Sequence, residues 1–171
     1  EVEDLLAYGR RYNAEVRFIE YMDVGGATRW RWEDVVTREE VLGRLRARHG
    51  DVQSVEKAGS APADRFRLPD GTVFGVISST TQPFCGDCDR ARLTADGLWL
   101  LCLYARGGVD LRTPLRAGAS DADLQALVAD AWTVRVDRGA EARLAEAERQ
   151  ALVPHGALAR HPHFEMHTRG G

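Results

Sequence analysis

Hydrophobic positions in this chain recur with two periods, and the switches between them mark its elements. Val2, Leu5, Leu6 and Gly9 fit one face of a helix, and Asn13 is placed to end it. Residues 15–22 then read as a strand with helix before and after, which is a piece of an α/β unit. Asp23-Val24-Gly25-Gly26 forms a loop at that strand's C-terminal end, where α/β barrels gather their active sites. Trp30 and Trp32 alternate with Arg29 and Arg31, predicting a short extended piece with both rings on one side. Thr37 and Glu40 have capping-box spacing, and Val41, Leu42 and Leu45 form the apolar stripe of the helix they open. Gly50 is suited to stop it, with His49 expected on the solvated last turn.

The pattern then turns to short strands. Residues 52–56 and 64–68 are predicted strands, and Pro69-Asp70-Gly71 is a turn in which Pro presets φ and Gly accepts a positive one. Residues 72–78 return as the other arm of a hairpin. A second hairpin joins 92–94 to 98–104 through Ala95-Asp96-Gly97, and is expected to hold Cys102 opposite Cys85 and Cys88. Residues 110–116 read as a connector. Ser120 caps a predicted helix carrying Leu124, Leu127, Val128 and Ala131, and 140–152 is rich enough in Ala, Glu and Arg to predict an exposed helix, broken by Pro154.

Composition narrows the function classes. The 171 residues suffice for a sizeable core. A net charge of −3 gives no broad basic field for nucleic acid, and no apolar run reaches membrane-spanning length. No targeting segment is visible, so a cytoplasmic location is the expectation. The three cysteines are an odd number, which argues against a disulfide framework.

Those cysteines carry the candidate chemistry. Cys85 and Cys88 form a C-x-x-C loop, and Cys102 follows after thirteen intervening residues. Three thiolates suit an iron–sulfur cluster with one iron open to a substrate atom. Zinc would need a fourth ligand, drawn from His49, His155, His161, His163 or His167, and a redox dithiol would leave Cys102 without a role. Spacing alone leaves these uses open. Arg90 and Arg92 stand two apart beside the pair. On an extended backbone they project from one side, and guanidinium groups there grip phosphate, carboxylate or purine acceptors.

The run Phe84-Cys85-Gly86-Asp87-Cys88-Asp89-Arg90-Ala91-Arg92-Leu93-Thr94, with Cys102 beyond it, resembles the C-terminal cluster motif of the GTP 3′,8-cyclase family. These are radical S-adenosylmethionine (SAM) enzymes that open molybdenum cofactor biosynthesis. The strand at 17–22, the connector at 110–116 and the terminal Gly170-Gly171 resemble the same family. The resemblance implies a C-terminal fragment of a partial (βα) radical-SAM barrel, followed by a small, mainly antiparallel α+β cluster-binding domain. Its expected divisions are 1–50, 51–118 and 119–171. It implies a [4Fe–4S] cluster on Cys85, Cys88 and Cys102, and GTP contacts at Arg90, Ala91 and Arg92. It also implies a SAM contact at Met22 and a tail role for Gly170 and Gly171. Asp89 departs from the Asn usual there. No cysteine precedes Cys85, so the family's SAM-cleaving C-x-x-x-C-x-x-C loop is absent from these residues. The expectation is a chain inactive alone, lacking an N-terminal radical-SAM part, and dimeric because a barrel strand without neighbours exposes a pairing edge. The alternative is a zinc-stabilised, non-catalytic binding module.

Overall fold

A computed structural model describes residues 1–26, 29–57 and 59–169. Gly170 and Gly171 lie outside them, as does the side chain of His163. The chain forms a mixed α/β structure of two compact units. The first comprises Glu1–Met22 and Trp32–Asp87, the second Asp23–Arg31 and Cys88–Gly171.

In the first unit, α1 (Val2–Arg11) leads into β1 (Val16–Ile19). Asn13 turns the chain with φ of 51°, in the left-handed region that Asn tolerates. Thr37 opens α2 (Arg38–His49) with the predicted capping box, and Gly50 closes it at φ 86°. Strands β2 (Gln53–Val55), β3 (Asp64–Arg67) and β4 (Val73–Ile77) complete a sheet ordered β1-β4-β3-β2. The predicted hairpin is β3–β4, antiparallel, while β1 runs parallel to β4 with Val16 opposite Phe74. Leu6, Val41, Leu42, Leu45, Phe66, Phe74 and Val76 make the core between the helices and the sheet.

The second unit holds a smaller antiparallel sheet of β5 (Arg92–Leu93), β6 (Leu98–Leu100) and β7 (Val109–Asp110). Helices α3 (Arg112–Arg116), α4 (Asp121–Thr133), α5 (Gly139–Leu144) and α6 (His155–Arg160) follow. Ser120 and Asp123 form the capping box of α4. No described helix is long and apolar enough to cross a membrane.

Several expectations are corrected. Leu5 points outward from α1 at 49 % exposure, whereas Leu6 is buried. Trp30 is buried and Trp32 is exposed, because Trp32 starts a 3-10 turn instead of continuing an extended run. His49 is half-buried on the last turn of α2, and its ring nitrogen lies 2.6 Å from the Glu3 carboxylate, joining the end of α2 to the start of α1. The connector contains β7 and α3, because the Asp110 side chain accepts from the Thr113 N–H at 3.0 Å and opens a turn of helix. Residues 140–152 are not one exposed helix: α5 stops at Leu144, and Arg143 and Arg149 turn inward.

Candidate functional site

Pro83 and the 3-10 turn Cys85–Asp87 end the first unit, and Cys88 begins the second. The approach to Cys85 is fixed inside the first unit by Glu20, which is buried where β1 ends. One carboxylate oxygen of Glu20 accepts from the Arg38 N–H (2.9 Å) and the Thr81 hydroxyl (2.6 Å). The other accepts from the main-chain N–H groups of Thr80 (2.9 Å) and Thr81 (2.8 Å). The Gln82 side chain accepts from Arg38 at 3.0 Å, and Lys57 lies 5.6 Å from the centre of the Phe84 ring. Met22, the last residue of the unit's first segment, is half-buried.

In the second unit, the Arg90 guanidinium donates to the Cys88 sulfur at 3.3 Å, and Arg135 donates to the Cys88 carbonyl at 2.6 Å. Burial alone would raise the Cys88 thiol; main-chain and side-chain donation from Arg90 and side-chain donation from Arg135 outweigh it and favour the thiolate. Arg92 is drawn down first by burial and then by the like charge of Arg90, while the Cys102 and Cys88 sulfurs act in the opposite sense. Arg90 thus contacts the Cys88 sulfur directly, and Arg92 begins β5 two residues on. Ala91 is half-buried between them. Arg135 is an addition that the sequence did not reveal. Its guanidinium sits 4.7 Å from the Trp132 ring, which stacks on Trp99 at 6.1 Å.

The second hairpin forms, with Arg92 opposite Leu100, but β6 ends there. Cys102 is thus held by a turn and not by a strand: the Ala105 N–H bonds back to the Cys102 carbonyl at 3.1 Å. Gly97 closes the hairpin at φ 87°, and a Cβ there would meet Arg112 Cβ at 2.7 Å, so glycine is required twice over. Beyond Cys102, Tyr104 donates to Asp23 at 2.8 Å. Asp23 also accepts from Arg143 Nε (2.8 Å) and Arg149 Nε (3.0 Å), and Arg149 packs on Trp30.

Burial alone would raise the Asp23 carboxyl, but donation from Arg149, Tyr104 and Arg143 holds it below the ordinary range. A depressed folded value means stabilisation that is full above the unfolded value and lost as pH falls through the folded one. Acid titration is therefore expected to weaken the second unit progressively below about pH 4. Fluorescence-monitored unfolding of wild type and Asp23→Asn checks this; the variant should lack that component of the slope.

The three cysteines are free thiols, each half-buried. Among the described residues no group of three or more His, Cys, Asp or Glu side chains is gathered to hold a metal ion. In donor chemistry the set fits an iron–sulfur group: soft sulfur ligands, one biased to thiolate, beside fixed positive charge.

Comparison with known proteins decides the family. The Molybdenum Cofactor Synthesis C family matches residues 14–141. The chain belongs to the Molybdenum Cofactor Synthesis C family. Among its relatives, GTP 3′,8-cyclase 1 of Mycobacterium tuberculosis is 58 % identical over 171 residues, covering 100 % of this chain and 48 % of that protein. GTP 3′,8-cyclase 3 of Mycobacterium bovis is 55 % identical, covering 100 % and 45 %. GTP 3′,8-cyclase of Parasynechococcus marenigrum is 42 % identical over 163 residues, covering 95 % and 43 %. The chain spans about half the length of these relatives, consistent with the C-terminal part of such an enzyme.

For this member of the Molybdenum Cofactor Synthesis C family, the residues that sequence reasoning missed are Glu20, Tyr104, Arg135, Arg143 and Arg149. Of these only Glu20 left a trace: an acid immediately after an apolar strand, where a buried carboxylate needs several donors to be tolerated. The arginines lie in segments whose polar composition looks solvated.

Proposed function

We propose that this chain is the substrate-side part of a GTP 3′,8-cyclase acting in molybdenum cofactor biosynthesis. On this reading Cys85, Cys88 and Cys102 hold a [4Fe–4S] cluster, which when bound offers one iron without a protein ligand to a substrate atom. Arg90 and Arg92, with the main chain of Ala91, grip GTP through phosphate or purine acceptors. Met22 contributes a SAM contact, and Gly170-Gly171 a tail role. The observation that supports the reading is the Arg90 guanidinium donating to the Cys88 sulfur at 3.3 Å, in the compact unit that also contains Arg92 and Cys102.

An N-terminal radical-SAM half is the expected partner, and we place it on the outer side of β1. Leu5, Ile19 and Val36 are exposed there, around a cavity of about 390 Å³ in the first unit. A homodimeric, cytoplasmic enzyme remains part of this reading. The chain alone is expected to bind nucleotide without turning it over.

Anaerobic reconstitution with iron and sulfide tests the proposal. The expected product is brown, with charge-transfer absorption and about four iron per chain, and its spectrum shifts when GTP is added. Colourless protein containing zinc and no iron would overturn it.

A further inference from the structure

We propose that Asp23 is a positioning residue for Cys102, acting through Tyr104 and Arg143; this rests on the reading of Cys102 as a cluster ligand. The contacts form a closed circuit within the second unit. Asp23 is fully buried, and its Oδ1 accepts from the Tyr104 hydroxyl at 2.8 Å and from Arg149 at 2.7 Å. Tyr104 lies two residues beyond Cys102, in the turn that the Ala105 N–H closes onto the Cys102 carbonyl. The first residue of α5, Gly139, is pressed against that turn. A Cβ there would stand 2.5 Å from Tyr104 Cβ and 2.9 Å from Cys102 Sγ. Four residues on, α5 presents Arg143, whose Nε donates to Asp23 Oδ2 at 2.8 Å and closes the circuit. Arg149 adds a second guanidinium to the same carboxylate, and the Asp23 carbonyl accepts from the Leu152 N–H at 2.7 Å.

A buried ionic cluster is a poor source of stability compared with apolar packing, but it fixes the directions of the groups it joins. Here the group fixed is the turn bearing a thiol, with no room beside it. Ligand-orienting partners of this kind typically change metal retention about 10–100-fold when removed.

The test uses the 171-residue chain and the variants Tyr104→Phe, Gly139→Ala and Asp23→Asn, with Cys102→Ser as reference. In metal-free protein, alkylation by iodoacetamide is read at each cysteine by mass spectrometry. Tyr104→Phe is expected to raise the rate at Cys102 about tenfold and leave Cys88 unchanged, the size expected for one charge-assisted hydrogen bond. After reconstitution, Tyr104→Phe and Gly139→Ala are expected to release iron to a chelator about tenfold faster, with an altered electron paramagnetic resonance line shape. Far-ultraviolet circular dichroism should remain that of wild type for Tyr104→Phe. Asp23→Asn, which leaves two guanidinium groups facing a neutral amide, is expected to fold with lowered stability and to release iron faster than either of those two variants. Wild-type alkylation and wild-type spectra in Tyr104→Phe and Gly139→Ala would overturn this inference while leaving the cluster assignment standing. A wild-type chain that takes up no iron would overturn both.

Discussion

Glu20→Ala is expected to destabilise the first unit by about 3 kcal/mol, because each buried donor left without an acceptor costs about 1–3 kcal/mol. Three main-chain N–H groups, those of Arg38, Thr80 and Thr81, lose their partner at once. The amides of 80 and 81 lie just ahead of Cys85, so hydrogen exchange there should accelerate more than on β3. Glu20→Gln is expected to be milder. With its amide nitrogen placed at the oxygen shared by Arg38 and Thr81, the Thr81 hydroxyl rotates to accept, and only the Arg38 bond is lost. Equal losses for the two variants would show that the carboxylate acts through charge and not through its paired acceptors.

Phe74→Ala is expected to cost about 3–5 kcal/mol, the range for truncating a fully enclosed aromatic side chain. Phe74 is 0 % exposed at the centre of the first core. Its ring stacks on Phe66 at 5.6 Å and meets Phe18 edge-on at 6.2 Å. It also sits opposite Val16 in the parallel pair, so the cavity would open beneath both neighbouring strands. Domains of this kind are stable by about 5–15 kcal/mol, so the loss is a large part of the whole. Urea denaturation followed on the β3 and β4 amides measures it; a change below about 1.5 kcal/mol, the ordinary cost of a volume-conserving swap, would mean that the core refills the space.

What the sequence made legible is local. The capping box at Thr37, the cap at Ser120, the stop at Gly50 and the turn at Gly71 each depend on residues within a few positions of one another, and each formed as read. The pairing of β1 with β4 joins residues far apart in the chain, and no periodicity encodes which strand a parallel edge will choose. For the candidate site, the nearness of Arg90 to the Cys88 sulfur is also local, two residues apart in the chain. The clamp on Asp23 is not: Arg143 and Arg149 lie in an Ala- and Glu-rich stretch, where arginine ordinarily faces water. Their inward turn requires α5 to end at Leu144, and the segment after it is drawn in where Arg143 donates to the Gln150 carbonyl and the Leu152 N–H to Asp23. The strand predicted through 104 failed for a related reason. Once Tyr104 is tied to Asp23, the backbone bends at 101–104 and β6 is left to finish at Leu100.

The second unit borrows Asp23–Arg31 from the midst of the first, and this interleaving limits how the molecule can be divided. A fragment starting at Cys88 would keep the arginines and tyrosine of the clamp but not the carboxylate or the tryptophan they enclose. Excision of either half by a single cut therefore severs a buried charge from its counter-ion. Gene-level dissection must instead retain the loop after β1 or provide it as a separate peptide.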